Sequence, residues 1–101
     1  MSRSDVHRYL VAYDIGDDPR RSRLAHVLAA HGERIQFSVF ILDAGAPLHA
    51  RLVTAIESVI DPTSDAVAVC DLGPSVPGQP HPGITHLGRR EPLTINRPFV
   101  I

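Results

Sequence analysis

The stretch "DIGDDPRRSR" (residues 14–23) sets Asp14, Asp17 and Asp18 directly before Arg20, Arg21 and Arg23. Two kinds of chemistry want such groups side by side. A carboxylate is a hard oxygen donor suited to Mg²⁺, which takes one or two protein carboxylates and leaves its other positions to water and phosphate. Arginine forks hold phosphates bidentately. A structural account competes at each position. Asp14 would equally accept bonds from the loop amides that follow it. Asp17 and Asp18 suit a helix N-terminus, where their charge complements the helix dipole. The arginines are harder to place as structure, because a helix N-terminus disfavours cations. Either the aspartates neutralise them, or a polyanion docks there through its phosphates. Spacing alone leaves those two accounts level.

The elements that must carry these residues follow from pattern. "RYLVAYD" (8–14) is a nearly continuous apolar run ending at Asp14, which suits a central strand. "GDDP" supplies an acidic cap and an early proline. Leu24, Val27, Leu28 and His31 then keep helical spacing, so a helix is expected over about 18–31, stopped by Gly32. "ERIQFSVFIL" (33–42) is strand, either one long strand or two short ones bent near Ser38. Pro47 opens a second helix whose apolar face is Leu48, Leu52, Ala55, Ile56 and Val59, and "DPTSD" ends it. "AVAVCDL" (66–72) is a further strand, and "PSVPGQPHPG" a proline-glycine loop. "ITHLG" and "LTINRPFVI" are short and extended. This order predicts an α+β sandwich of ferredoxin-like type, an antiparallel sheet with two helices on one face plus a C-terminal strand. One domain over 1–101 is expected, with its core at about 8–73 and an extended segment over 74–101. The tail strand is expected to pair with something, such as another subunit.

Composition narrows the function classes. Of the 101 residues 44% are hydrophobic and 21% charged, as in ordinary globular chains. No apolar run approaches the roughly 20 residues of a membrane helix, so no membrane partner is expected. The start, "MSRSDVHRYL", lacks a signal-peptide h-region, and the single cysteine, Cys70, excludes an internal disulfide; a cytoplasmic chain is expected. A net charge of −1 does not advertise a nucleic-acid binder, yet all ten basic residues are arginines. The six histidines show no metal-ligand spacing. Cys70 alternates with Ala66 and Ala68, which predicts a buried, inert thiol.

With these residues in hand, the chain resembles a known family. "YLVAYDI-DD-RR-R", then "G-RIQFSVF", a helix ending "IDP--D" and a hydrophobic strand are similar to the small CRISPR-associated adaptation protein, the ferredoxin-like second Cas protein. The likeness covers about residues 8–73, and "HLGRREPLTINRPFVI" resembles the family's variable C-terminal strand. The resemblance implies a homodimer whose first strands meet near the two-fold axis, with Asp14 opposite its symmetry mate, and a CRISPR integrase subunit as partner. It implies an endonuclease dependent on Mg²⁺ (or Mn²⁺), acting on RNA or double-stranded DNA. In other members the same protein is a non-catalytic bridge that holds spacer DNA between integrase dimers, and virulence-associated toxin ribonucleases share the small fold. Carried over by position, Asp14 would be the metal ligand, and Asp14, Tyr13, Ser38 and Phe40 the catalytic residues. Arg21, Arg23 and Arg34 would bind nucleic acid.

Overall fold

The computed structural model describes residues 5–89. Its elements run β1 (His7–Asp14), α1 (Asp18–Ala29), β2 (Gly32–Gln36), β3 (Val39–Ala44), α2 (Ala46–Val59) and β4 (Ala66–Pro74). The sheet order is β2-β3-β1-β4, with every neighbouring pair antiparallel. This is the expected α+β ferredoxin-like arrangement. β1 lies between β3 and β4, which explains its near-continuous apolar run. Its alternation sends Tyr9, Val11 and Tyr13 into the core with Phe40 and Leu42 of β3, where Leu24 and Leu28 of α1 and Leu52 and Ile56 of α2 cover them. Arg8, Leu10, Ala12 and Asp14 alternate onto the opposite, helix-free face.

α1 starts as the sequence predicts. Asp17 is its N-cap, the carboxylate accepting the Arg20 amide at 3.0 Å, and Pro19 sits in the first turn. Its end differs. The helix closes at Ala29, and Gly32 opens β2 without a positive φ. Gly32 is small for packing instead, since a Cβ there would stand 2.2 Å from the Ile41 carbonyl oxygen and 2.7 Å from Leu42 Cβ. Gly32→Ala should therefore push β2 off β3 and cost about 1–3 kcal/mol, read as a lower denaturant midpoint at unchanged slope.

The run 33–42 resolves into two strands joined by a tight turn at Phe37 and Ser38. Cys70 corrects an expectation. β4 is an edge strand, and the thiol is exposed on it. After β4, residues 75–89 form turns and irregular chain, so "ITHLG" joins no strand. "LTINRPFVI", and with it the expected C-terminal strand, lies outside the described residues.

Candidate functional site

Asp14 is the last residue of β1, and three local features fix its place. On one side its register partner is Ala66, the first residue of β4. On the other, the β3 pairing runs out at Ala12–Val39, and the Tyr13 amide makes one further bond, to the Ser38 carbonyl at 3.0 Å. Beyond it Ile15 turns into the core and the chain enters the α1 cap. The Asp14 carboxylate itself is exposed, on the helix-free face, and makes no ion pair among the described residues.

The arginines of the seam divide by role. Arg20 forks onto Asp65, with Nε to Oδ2 at 2.8 Å and Nη2 to Oδ1 at 3.1 Å, and lies 3.6 Å from Asp17. Arg21 donates Nη1 to the Ile15 carbonyl at 2.9 Å and Nη2 to Asp18. Both guanidiniums therefore brace the strand-to-helix turn. Arg23, one turn of sequence further on, is exposed and has no ion-pair partner among the described residues. Neutralisation by aspartate accounts for Arg20 and much of Arg21, and a free cation remains at Arg23.

The structure separates the rest of the expected site. Tyr13 is 6% exposed and Phe40 1%, and their rings face each other in the core, centroids 6.4 Å apart. They alternate to the face opposite Asp14, so they support the site's scaffold and do not reach a substrate; this corrects their expected catalytic place. Arg34 is corrected likewise. It is 3% exposed, its guanidinium carbon 5.1 Å from the Phe40 ring centroid and 5.7 Å from that of Phe37. A buried cation held against aromatic faces is a packing element, and it extends no surface patch. Ser38 is half-buried at the turn, and its carbonyl, bonded to the Tyr13 amide, ties it to the Asp14 end of β1.

Sequence reasoning gave no role to Asp65. Its carboxylate is held below the usual carboxylate range, first by the Arg20 fork and then by the Asp61 amide. The signal was present as the last letter of "IDP--D", but its partner lies 45 residues away. Arg8, Asp43 and Ser75 were missed as well. Arg8 forks onto Asp43 at 2.7 and 3.0 Å, and Ser75 donates its hydroxyl to the same carboxylate at 2.9 Å.

An Mg²⁺ ion would find one hard donor per protomer here, the exposed Asp14 carboxylate. That is compatible with the ion's habit of keeping water and phosphate in its remaining positions. No group of three or more His, Cys, Asp or Glu side chains converges as a metal site among the described residues. A second carboxylate would have to come from a second copy of the chain.

Comparison with known proteins agrees with this geometry. The CRISPR-associated endoribonuclease Cas2 of Thermus thermophilus is 39% identical over 70 residues, 69% of this chain and 74% of that protein. A Rhodospirillum rubrum relative, CRISPR-associated endoribonuclease Cas2 4, is 35% identical over 69 residues, 68% of this chain but only 56% of the relative's length. Among solved structures, a hypothetical protein of Thermus thermophilus superposes with a TM-score of 0.71 at 35% identity, covering 85% of this chain and 95% of that one. Streptococcus pyogenes Cas2 superposes with a TM-score of 0.58 over 61% of this chain and 81% of that one; at 22% identity it speaks for the fold alone. No helix of the described residues is long and apolar enough to cross a membrane. The family described as CRISPR associated protein Cas2 matches residues 7–75, the span from the first residue of β1 to just past β4, and the chain belongs to that family.

Proposed function

We propose that this chain acts as a homodimeric, metal-dependent endonuclease that cleaves phosphodiester bonds in RNA or DNA during CRISPR spacer acquisition. The carrying observation is Asp14, an exposed carboxylate at a strand end, free of internal partners among the described residues while its charged neighbours Asp17, Asp18, Arg20 and Arg21 are committed to their own chain. Because Asp14 alternates with Leu10 and Ala12 onto the helix-free face, a second copy stacked on that face could bring its own Asp14 opposite. Two carboxylates could then share one ion. Bound there, Mg²⁺ or Mn²⁺ would polarise a phosphodiester and lower the pKa of a coordinated water. The chain's own part is to hold the carboxylate rigidly and to draw the polyanion in through Arg23.

A thin donor set favours a second reading. With Tyr13, Phe40 and Arg34 inside the core, one carboxylate and one free arginine per protomer would also serve an adapter that holds spacer DNA beside the integrase without turnover. One assay separates the two. Labelled single-stranded RNA and duplex DNA are incubated with the full chain in Mg²⁺, in Mn²⁺ and in excess chelator. Cleavage that stops on chelation and returns with Mn²⁺ supports the nuclease. Tight binding with no cleavage in either metal favours the adapter, and cleavage indifferent to chelation removes the metal from the mechanism.

Arg23→Ala supplies the binding arm of the test. Its loss should weaken binding uniformly across sequences and lower the salt slope of log K by about one unit per phosphate contact removed. Titration at two salt concentrations measures it. An unchanged slope would take Arg23 out of the interface.

A further inference from the structure

The Arg20–Asp65 fork joins the start of α1 to the loop between α2 and β4, and its surroundings are built rather than incidental. The Asp65 side chain is fully buried. Besides the two Arg20 bonds it accepts the Asp61 amide at 2.8 Å, while the Asp65 amide donates back to the Asp61 carbonyl at 2.8 Å. Asp61 in turn accepts the amide and hydroxyl of Thr63 at 2.9 and 2.7 Å, and Arg20 Nη2 reaches the Ser64 hydroxyl at 3.4 Å. At its other end the Arg20 backbone amide donates to the Asp17 cap. One arginine thus fastens the helix cap to the residue immediately before β4.

That residue decides where Asp14 stands. β3 no longer pairs at Asp14, and the only ladder partner there is Ala66, next in chain to Asp65. A strand end held on one side frays unless the partner strand is itself fixed.

We infer that Arg20 and Asp65 form a positioning pair that sets the place of the Asp14 carboxylate through the Ala66 rung. Arg20 is thereby withdrawn from phosphate binding, which falls to Arg23. The inference deepens the reading of Asp14 as the functional carboxylate and rests on it. The consequence is chemical as well as structural, since a displacement of about 1 Å in a reacting group can lower a rate on the order of a hundredfold.

The test uses the full chain with three variants, Arg20→Ala, Arg20→Lys and Asp65→Asn, read by amide hydrogen exchange and by cleavage kinetics. In Arg20→Ala, exchange should rise about tenfold or more at Tyr13, Asp14 and Val67, with little change at Val11 and Val69 in the middle of the sheet. The cleavage kcat should fall about tenfold or more while KM moves less than about threefold. Arg20→Lys should restore part of both, because lysine keeps the charge but not the fork. Lys and Asn variants keep the question open to measurement should the alanine variant fail to fold. Unchanged exchange at the Asp14 end in all three variants overturns the pair's role, whatever cleavage does. A weaker KM and shallower salt slope at unchanged kcat overturns it too, by making Arg20 a phosphate contact. Should Asp14→Asn cleave at the parent rate, the reading of the site fails, and exchange alone then judges the pair.

Discussion

Asp14→Asn should reduce metal-dependent cleavage by at least about a hundredfold while leaving the fold intact. Asparagine has the shape of aspartate but offers a neutral oxygen, so it loses most of its attraction for a hard cation. Because the side chain is exposed and makes no internal ion pair among the described residues, the change should cost the monomer no more than about 0.5 kcal/mol. The dimer supplies a second, independent sign. If two Asp14 carboxylates face each other, they repel when no metal lies between them. Asp14→Asn should then strengthen the metal-free dimer and abolish any tightening by Mg²⁺. Sedimentation with and without the metal measures both effects, beside a cleavage assay on RNA and on duplex DNA. Parent-level cleavage by the variant would move the chemistry elsewhere, and an unaltered dimer affinity with no metal would place the two carboxylates apart.

The elements were legible because they rest on local pattern. An apolar run ending at Asp14, an acidic cap with Pro19 and the helical spacing of Leu24 and Leu28 each mean one thing to a short stretch of chain. Gly32 shows where that logic stops. A glycine after a helix reads as its stop, yet its actual constraint is the Ile41 carbonyl on the neighbouring strand. The site was less legible for the same reason. Residue type and spacing cannot say to which face of a strand a side chain alternates once the strand is capped by loops at both ends. Tyr13 and Asp14 are adjacent in sequence and point to opposite faces. Arg34 reads as a surface cation, but its rung partner is Phe40, and alternation carries both into the core. Arg20 and Asp65 were each visible in a motif, but only the fold makes them a pair. The opening cluster of charge is thus divided between bracing the turn, in Arg20, Arg21, Asp17 and Asp18, and two groups left exposed, Asp14 and Arg23.

Asp43→Ala should be the most destabilising surface-distant change in the described chain, costing about 3 kcal/mol, because it strands a buried guanidinium. The Arg8 side chain is 9% exposed and Asp43 20%. Their fork gathers the chain leaving β4. Ser75 donates to Asp43 through its hydroxyl and to the Val6 carbonyl through its amide at 2.9 Å, and Arg8 Nη1 donates to the Gln79 carbonyl at 2.9 Å. For a chain of this size the loss should lower Tm by at least about 12 °C. The double variant Arg8→Leu with Asp43→Leu separates charge from packing. An apolar pair in place of a buried ion pair is close to neutral, so the sheet should recover to within about 1 kcal/mol of the parent. The segment 75–79 would still have lost its anchors, and limited proteolysis there should be faster than in the parent despite the recovered Tm. Acid gives the same answer by another route. The Arg8 bond, with help from Ser75 and against the cost of burial, holds the Asp43 carboxyl below its ordinary value of 3.8. A carboxylate whose folded pKa is depressed contributes stability that is complete above the unfolded value and disappears as pH falls through the folded one. The parent should therefore show an acid-dependent loss of stability below about pH 4, and that part of the loss should be missing from the double-leucine variant. An acid transition of equal depth in both proteins would assign it to another carboxylate, with Asp65 the next to test.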